Sequence, residues 1–306
     1  MTNISILIHT KNEQQDLPGC LQSVSWSDDI HVFDSGSNDE TIAIALKFGA
    51  KVTERTYAEN NLAYGGDEAG HRNWGLQNIH FKHPWIYLID ADERMTVELV
   101  QAVQSSVAFP VGNSAFQVQR HDFLFGTWLK HVTPSPFNVR LFRHRNVRYE
   151  RLVNSSIVVD GTIGKIDSHF DHFPFSKGMS NWVDRHNRYS TSEAAQIVSN
   201  KKMNADFRLR KAFLPNNNKN ERRFHQKELY YRLPFRPFLM FGLLYILKGG
   251  FLDGRAGFTF ALLRSFYEYM IVLKVHELEA AALATNANST IVASLDKLGM
   301  PFNPGQ

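Results

Sequence analysis

Trp85-Ile-Tyr-Leu-Ile-Asp90-Ala-Asp92-Glu93-Arg94 is an apolar run that ends in three carboxylates. Apolar runs of this length are typical of strands buried on both faces of a parallel sheet, and such sheets bind ligands at the carboxyl ends of their strands. Asp90 and Asp92 are therefore a candidate site for a divalent cation. The structural alternative is that Asp92 and Glu93 open a helix over residues 96–107, where the helix dipole favours negative charge.

The first half of the chain alternates between two hydrophobic periods. Short apolar runs predict strands, and stretches with helical spacing lie between them. The strands are expected at Ile4–Thr10, Ile30–Asp34, 51–55 and Trp85–Asp90, and the helices at 14–25, 39–48 and 69–81. This order predicts an α/β fold with a mostly parallel sheet flanked by helices.

Polar residues also follow the first two strands. Thr10-Lys-Asn12-Glu13 ends the first, and Asp34-Ser-Gly-Ser-Asn-Asp39 ends the second. Carboxyl ends of neighbouring parallel strands share one edge, so these residues are expected beside Asp90. Asp34 could accept hydrogen bonds from a ribose or a base there, or the segment could simply form a tight turn and a helix cap.

Arg72 lies at the start of the helix expected over residues 69–81, where the helix dipole disfavours a positive charge. It could reach an anionic ligand over the sheet edge or be an ordinary solvated arginine, and spacing leaves both open. The sequence has neither a GxGxxG nor a GxxxxGK phosphate loop, which argues against a dinucleotide dehydrogenase or a P-loop enzyme.

The chain has a different pattern after residue 110. Strands are expected at 114–120 and 137–142, and Asp160-Gly161 predicts a hairpin between strands at 155–159 and 162–166. Residues 121–136 are rich in aromatic and hydrogen-bonding side chains, which suit a sugar or another polyol. Packing in the core is the alternative for each aromatic residue.

His172 follows these strands and precedes a helix expected over residues 177–200. A histidine that returns from a distant segment to an acidic pair is a candidate third metal ligand, because imidazole and carboxylate both bind Mn²⁺. A structural role is the ordinary alternative for a lone histidine.

Composition bounds the class of protein. The 306 residues carry a net charge of +4 and are 43% hydrophobic, enough for a full core. The single cysteine, Cys20, excludes an internal disulfide framework and favours a reducing compartment. No secretory signal is expected, because a strand begins almost at once.

Basic residues collect between positions 201 and 227, ahead of apolar runs at 233–248 and 258–275. The first run is too short and too interrupted by Pro and Arg for a membrane span, so an interfacial amphipathic anchor on an anionic membrane surface is favoured over a pair of buried core helices. Nucleic acid is not expected as a partner, because no nucleic-acid motif accompanies the basic stretch.

Six motifs occur in order between residues 4 and 275. They are Leu7-Ile-His-Thr-Lys-Asn-Glu, Cys20-Leu-Gln-Ser-Val, Asp34-Ser-Gly-Ser-Asn-Asp-Glu-Thr, Asp90-Ala-Asp-Glu-Arg, Arg140-Leu-Phe-Arg and Lys248-Gly-Gly-Phe-Leu-Asp-Gly-Arg. In these motifs the chain resembles family 2 glycosyltransferases. The last motif makes it most similar to the branch that adds a sugar to the lipopolysaccharide inner core, the β-1,4-glucosyltransferase type.

The resemblance implies a Rossmann-like GT-A fold that binds a nucleotide-diphosphate sugar with Mn²⁺ or Mg²⁺ and inverts the anomeric centre. It places the donor against Thr10, Asn12, Glu13, Asp34, Arg72, Asp90 and, as an additional diphosphate contact, Arg140. Asp92 would hold the metal, and His172 would supply the returning ligand. A divalent cation on the diphosphate would neutralise the charge that develops as the glycosidic bond breaks.

One position departs from the family. Relatives tend to have Leu-Val-His-Glu where this chain has Leu152-Val-Asn-Ser155, so the carboxylate expected to deprotonate the acceptor hydroxyl is missing. An inverting transferase needs such a base, because the acceptor loses its proton as it attacks. Glu150 and Asp122 are the nearest substitutes in the sequence, with Glu150 ranked slightly ahead.

The whole chain is expected to be a cytoplasmic enzyme, peripheral on the inner face of the cytoplasmic membrane. It would move a hexose, glucose from UDP-glucose in the favoured interpretation, to a lipopolysaccharide-core or other lipid-linked acceptor. The alternative is a non-catalytic nucleotide-sugar or glycan-binding protein, which the missing His-Glu pair allows. Sugar identity, linkage position and oligomeric state do not follow from spacing.

The domain boundaries follow from these patterns. The GT-A catalytic domain is expected at residues 1–200, with a nucleotide-sugar half at about 1–110 and an acceptor half at about 111–200. The basic stretch and the apolar helices follow at 201–280. Residues 281–306, small and polar, are expected to form a loosely ordered tail.

Overall fold

The computed structural model describes residues 3–57, 67–150, 156–202 and 233–297, together with residues 208, 210–211, 222, 225–226 and 229–231. The chain divides into two compact units, Met1–Gly178 and Met179–Gln306. The division falls at Gly178 and not at residue 200. Gly178 begins a helix whose Asn187, Ser190 and Thr191 accept hydrogen bonds from Lys274 Nζ of the second unit. The extent of the catalytic domain stays a prediction.

The first unit is a mixed sheet with helices between its strands. Its strands are β1 (Ile4–Thr10), β2 (Ile30–Asp34), β3 (Lys51–Glu54), β4 (Trp85–Asp90), β5 (Glu93–Met95), β6 (Asn113–Leu124), β7 (Thr127–Trp128), β8 (Phe137–Arg143), β9 (Val147–Glu150), β10 (Ser156–Val159) and β11 (Thr162–His172). Its helices are α1 (Leu17–Val24), α2 (Thr41–Lys47), α3 (Glu68–Asn78) and α4 (Val97–Ala108), and a short 3₁₀ turn spans His144–Asn146.

The main sheet is mostly parallel at one side and mixed at the other. Its order is β3-β2-β1-β4-β8-β6-β11-β5, with β7 on β6. Strands β1 to β4 are parallel, β8 is antiparallel to β4 and β6, and β11 is parallel to β6. The α/β fold class with helices around a mostly parallel sheet is therefore confirmed.

The central strands are buried on both faces, as their continuous apolar sequences predict. Ile6 and Ile8 point into one apolar cluster, which α1 and α4 cover, whereas Leu7 points into the other with residues of α3. Tyr87 and Leu88 on β4 divide between the two clusters in the same way. Apolar clusters therefore pack against both faces of the sheet, and polar side chains are found at the ends of its strands.

The turn at Asp160-Gly161 does not close a hairpin, so that prediction is wrong. Strand β10 pairs antiparallel with β9 in a separate two-stranded sheet, whereas β11 joins the main sheet beside β6. Gly161, with a φ of 125°, lets the chain leave one sheet and enter the other. Burial of Ile166 and Phe170 in the main core decides the pairing of β11.

Helix α4 begins at Val97, after the short strand β5 that contains Glu93. The Thr96 hydroxyl caps it by accepting a hydrogen bond from the Leu99 N–H at 3.1 Å. Glu93 lies on β5, and Asp92 lies in the turn before that strand. The alternative in which Asp92 and Glu93 open the helix is therefore wrong.

A buried aspartate joins the amino ends of the parallel strands. Asp29, which precedes β2, accepts hydrogen bonds from the Ser5 hydroxyl at 2.5 Å, the Lys51 ammonium at 2.7 Å and the Lys82 N–H at 2.8 Å. His31 Nε2 lies 3.0 Å from its carboxylate. We call Asp29 and these four partners the amino-end cluster.

The described part of the second unit consists of helices. They are α5 (Gly178–Lys202), α6 (Arg236–Phe241), a π-helical turn at Gly242–Leu247, a 3₁₀ turn at Gly250–Asp253, and α7 (Gly254–Lys297). The Tyr231 hydroxyl donates to Glu193 of α5 at 2.7 Å, and the buried Arg236 pairs with Glu268 of α7 at 2.6 Å.

The structure bears on two predictions for the end of the chain, the loosely ordered tail and the lack of a membrane span. Helix α7 continues to Lys297, where a loosely ordered tail was expected from residue 281 onward; the run of alanines at 280–282 favours helix. Residues 298–306 and most of the basic stretch at 201–227 lie outside the described residues. In the described part of the chain, no single helix has the length and apolar character of a membrane span, although Arg236–Leu247 and Gly250–Leu283, bent by 73°, have them together.

Candidate active site

The candidate active site lies at the carboxyl ends of β1, β2 and β4. The parallel register places Thr10 beside Asp34 and His9 beside Asp90. These are the strand ends that the sequence predicts at a single edge. Their roles toward a ligand stay predictions, and the hydrogen bonds of each residue distinguish them.

Asp34 is fully buried, and its carboxylate is engaged within the protein. It accepts hydrogen bonds from the hydroxyls of Thr10 at 2.7 Å and Ser37 at 2.6 Å. The backbone N–H groups of Gly36 and Ser37 donate to its other oxygen at 2.9 and 2.7 Å. Thr10 and Asp34 therefore hold the loop after β2 in shape, and the carboxylate presents no exposed oxygen to a nucleoside.

Asn12 and Glu13 fix the loop that follows β1. The Asn12 side-chain oxygen accepts from the Asn38 N–H at 2.9 Å, and its backbone has a φ of 55°. Glu13 accepts a hydrogen bond from Lys177 Nζ at 2.6 Å. Burial raises the pKa of Glu13 to about 7 in spite of that cation. Both residues therefore shape the backbone next to the strand ends.

Arg140 on β8 joins two acids. Its Nη2 lies 3.1 Å from Asp90 Oδ2 and also contacts the buried Glu93 carboxylate, whose other oxygen accepts from the Asp90 N–H at 3.0 Å. Burial acts to raise the pKa of Asp90, but the positive charges of Arg140 and Arg72 hold it below its usual range. Burial raises the pKa of Glu93 to about 7 against the attraction of Arg140. Arg140, suggested as a diphosphate contact, thus pairs here with protein carboxylates.

Arg72 lies on α3 within electrostatic reach of Asp90. Its Nε donates to Glu68 at 3.0 Å, and its guanidinium lies 5.4 Å from the centre of the Tyr149 ring. The structure therefore brings Arg72 to the edge where the sequence expected it.

His172 lies between two carboxylates. Its Nδ1 is 2.6 Å from Asp122 Oδ1, and its Nε2 is 3.4 Å from Asp92 Oδ2. Burial alone would lower the pKa of His172, but the hydrogen bonds to Asp122 and Asp92 raise it to about 10. The structure thus brings together Asp92 and His172, the two residues that the sequence suggested as metal ligands.

The position of His172 follows from the strand pairing. Strand β11 lies between β6 and β5, and the register puts His172 opposite both Asp122 and Glu93. Residues directly opposite each other share one face of a sheet. We call Asp90, Asp92, Glu93, Asp122, Arg140 and His172 the carboxyl-end cluster.

Asp122 is near the other acids but is not poised as a base. Besides its bond to His172, it lies 2.9 Å from Arg120 Nε. Burial acts to raise its pKa, but His172 and Arg120 lower it below its usual range. A carboxylate held in this way orients His172 more readily than it removes a proton from an acceptor.

Glu150 lies on the other side of its strand from the cluster. The neighbouring Tyr149 ring faces Arg72, and successive side chains on a strand point in opposite directions. Glu150 is half exposed and pairs with Arg148 at 3.2 Å. The structure therefore does not bring Glu150 to the carboxylates, and Asn154 and Ser155 lie outside the described residues.

The sequence did not assign two residues of this edge. Glu93 is the third carboxylate of the stretch Asp90-Ala-Asp92-Glu93. The available signal was Thr96, which is a better helix cap than either acid and so indicates that the helix begins after Glu93. His9 is buried next to Asp90, and in the described part of the chain neither ring nitrogen has a hydrogen-bond partner. Its place one residue before the polar strand end was the available signal.

The comparison with protein families decides the class of the chain. The model described as "Glycosyl transferase family 2" matches residues 5–173, which include the whole carboxyl-end cluster. The chain belongs to glycosyl transferase family 2. The predicted resemblance is thereby confirmed, and the sheet with its flanking helices is the GT-A-like fold of this family 2 member.

Two relatives extend the comparison of this family 2 chain. It is 25% identical over 299 residues to the lipopolysaccharide core biosynthesis glycosyltransferase LpsC of Rhizobium meliloti, which covers 94% of this chain and 97% of that protein. It is 31% identical over 164 residues to a TPR repeat-containing protein of Synechococcus elongatus, which covers 52% of this chain and 37% of the relative.

Two solved structures are similar in part. S. aureus TarS covers 86% of this chain and 55% of its own, at 13% identity and a TM-score of 0.40. Glucosyl-3-phosphoglycerate synthase from Mycobacterium tuberculosis, solved with Mn²⁺, UDP and glucosyl-3-phosphoglycerate, covers 40% of this chain at 21% identity and a TM-score of 0.32. The match spans 44% of that synthase.

Proposed function

We propose that this family 2 enzyme is an inverting hexosyltransferase that moves glucose from UDP-glucose to a lipopolysaccharide-core or other lipid-linked acceptor. The observation that carries the proposal is the convergence of Asp92, His172 and Asp122 at the edge where Asp90 is held by Arg140. The similarity to LpsC along nearly the whole chain supports the choice of acceptor class.

Asp92 and His172 fit Mn²⁺ or Mg²⁺ by the chemistry of their donor atoms. Carboxylate oxygen suits both ions and imidazole suits Mn²⁺. The bond from His172 Nδ1 to Asp122 leaves Nε2 facing Asp92, and metal-binding histidines usually have their second nitrogen bonded to such a group. The chemistry supplied by the bound cation is neutralisation of charge on the diphosphate leaving group.

We propose that the Asp90 carboxylate accepts a hydrogen bond from a hydroxyl group of the nucleotide sugar. Its side chain is 37% exposed, and Arg140 keeps it ionised, so it can accept a hydrogen bond from the sugar or the ribose. Arg72 adds positive charge beside it for the diphosphate. Thr10, Asn12, Glu13 and Asp34 act through the two loops that they hold in place, which form the proposed nucleoside subsite.

Asp122 is proposed as a positioning residue for His172 instead of the acceptor base. Its carboxylate is engaged with His172 and Arg120, which is the arrangement of an orienting group. Glu150 remains the sequence-based suggestion for the base, and its position on the far side of β9 argues against that role.

The proposal includes docking of the second unit on the inner face of the cytoplasmic membrane. Phe235, Phe238 and Leu247 are 75%, 77% and 80% exposed, which is unusual for large apolar side chains. Exposed apolar residues next to a basic stretch are typical of interfacial binding to anionic lipid. This would keep the enzyme where a lipid-linked acceptor is embedded.

The catalytic proposal is tested by donor binding and transfer. UDP-, GDP- and dTDP-sugars are added with and without Mn²⁺ to the full chain, and we expect UDP-glucose with Mn²⁺ to raise the melting temperature most, by mass action. Release of UDP should then fall about 10³-fold in Asp92→Asn, since the charge on the leaving group is no longer neutralised.

Asp167→Asn is the matched control, because Asp167 is an exposed carboxylate on β11. Equal activity of Asp92→Asn and Asp167→Asn would contradict the proposal. Binding of a nucleotide sugar without UDP release or transfer to any acceptor would instead favour the non-catalytic alternative.

The docking proposal is tested by sedimentation with vesicles of phosphatidylglycerol and phosphatidylethanolamine. The double variant Phe238→Ser, Leu247→Ser should lower the membrane partition coefficient about tenfold, because two apolar side chains leave the interface. Phe109→Ser, which changes an exposed apolar residue of the first unit, should bind like the parent. Unchanged binding of the double variant would exclude this surface.

A further inference from the structure

Two histidines and an aspartate lie together on the face of β6 and β11 opposite the carboxyl-end cluster. In this parallel pair Asp171 lies opposite His121, one residue before the pair of His172 and Asp122. Side chains alternate across a strand, so His121 and Asp171 point away from the face that carries His172. His169, two residues before Asp171, shares their face.

The three side chains are close enough to share one ligand. One ligand atom from each lies within 4.8 Å of the other two, and His169 Nε2 is 3.6 Å from Asp171 Oδ1. The His121 and His169 rings are stacked with their centres 3.8 Å apart, and Trp128 stacks on the other side of His121 at 3.8 Å. The stack fixes His121, which is buried, whereas the side chain of His169 is 37% exposed.

Asp171 provides a second observation that points to a ligand. Its Oδ1 is buried and has no hydrogen-bond partner among the residues that the structure describes. A buried carboxylate oxygen without a hydrogen bond is costly, because it has lost its hydration and has only the His169 ring, at 3.6 Å, in exchange. A cation between Asp171 and the two imidazoles would satisfy it.

We infer that His121, His169 and Asp171 bind a divalent cation of the Zn²⁺ class at a site separate from Asp92 and His172. Two imidazoles and one carboxylate suit Zn²⁺, Co²⁺ or Ni²⁺, whereas Mg²⁺ prefers oxygen ligands. Ligand atoms around one such ion lie about 3 to 3.5 Å apart. Rotation of the partly exposed His169 out of the stack closes the remaining distance.

The site joins two strands whose ligands are about fifty positions apart in the sequence. A cation bound at this site would link β6 to β11 on the face opposite Asp122 and His172. The cation at this site is therefore structural, and it is distinguished from the one proposed for catalysis by its ligand chemistry and by its face of the sheet.

Cobalt binding tests the inference without a measurement of activity. Metal-free full-length protein is titrated with CoCl₂ in the presence of excess MgCl₂, and the visible absorption of the bound ion is recorded. Mg²⁺ competes at the oxygen-rich Asp92 site and not at the imidazole pair. We expect one cobalt per chain, with affinity lowered at least about tenfold in His169→Ala and in Asp171→Asn.

His80→Ala and Asp92→Asn are the controls. His80 is an exposed histidine outside the cluster, and Asp92 belongs to the other proposed site, so both variants should retain the cobalt spectrum. Cobalt binding that is unchanged in His169→Ala and Asp171→Asn, or lost in Asp92→Asn, would overturn the inference. Asp171→Asn preserves the shape of the side chain and decides the matter if His169→Ala alters the metal-free fold.

Discussion

Two charged clusters of opposite character lie near the two ends of the central strand β4. In the amino-end cluster one buried carboxylate, Asp29, is surrounded by donors from four segments, and these contacts hold its pKa below the usual range against its burial. In the carboxyl-end cluster four carboxylates share chiefly Arg140 and His172. Strand β4 therefore has an electrostatically complete cluster at its amino end and an incomplete one at its carboxyl end.

The shifts in pKa show what this difference means. At the carboxyl end burial raises the pKa of Glu93 to about 7, and two carboxylates raise that of His172 to about 10. Shifts of this size at one site are typical of places that handle a ligand, because the excess charge costs stability until something binds. In the amino-end cluster the surrounding donors lower the pKa of its one carboxylate, Asp29, and leave no acid with a raised pKa, which is typical of a structural joint.

Replacement of Arg140 should have the largest effect on folding. Arg140→Met leaves Asp90 and Glu93 without their guanidinium, and we expect a loss of about 4 kcal/mol in the free energy of unfolding at pH 8. The loss should be smaller at pH 5, where Glu93 can take up a proton. Urea unfolding at both pH values measures this, with the exposed Arg145→Met as control. An equal loss at both pH values would contradict the pairing with Glu93.

The amino-end cluster should respond in stability and not in catalysis. Asp29→Ala leaves several buried donors without an acceptor and should cost about 3 kcal/mol in the free energy of unfolding. Transfer activity per folded molecule should be unchanged. Asp28→Ala, at the exposed neighbouring carboxylate, should shift the unfolding midpoint much less. A large loss of turnover in folded Asp29→Ala would show that the two ends are coupled.

Asp122 distinguishes positioning from proton transfer. Asp122→Ala should weaken Mn²⁺ binding about 10- to 100-fold, because His172 loses the group that orients it. Saturating Mn²⁺ should then restore most of the turnover, as measured by kcat against Mn²⁺ concentration. If turnover stays low at every Mn²⁺ concentration while binding is normal, Asp122 is the base after all.

Acid should weaken the amino-end cluster. The pKa of Asp29 is lower in the folded protein than its unfolded value of 3.8, so its contribution is present above about pH 4 and is lost as the pH falls below that value. The stability of the parent should therefore fall more steeply between pH 4 and pH 2 than that of Asp29→Asn. Parallel curves for the two proteins would show that Asp29 carries no such contribution.

Glu150 should give the smallest effect. Because its side chain is exposed and paired with Arg148, Glu150→Gln should change kcat/KM by less than about twofold. The measurement is UDP release with saturating Mn²⁺, with Asp160→Asn, which removes the other partner of Arg148, as control. A large loss confined to Glu150→Gln would restore it as the acceptor base.

The strands of the first half follow from local sequence because burial on both faces demands continuous apolar runs. Ile4–Thr10 and Trp85–Asp90 begin and end where the sequence predicts. The strand pairing of the second half was harder to predict, because Asp160-Gly161 specifies a turn but not whether the two strands beside it pair with each other. Long-range burial of Phe170 decided that pairing.

The sequence by itself determined the family, the strands of the first half and the sheet edge at which the acids lie, because each depends on motifs or on hydrophobic period. Only the tertiary structure decided that Arg140 faces Asp90, that Asp122 holds His172 and that Glu150 turns away. These relations depend on the register between strands that are distant in the chain. A shift of one residue in that register would move each side chain to the other face, and no local pattern specifies it.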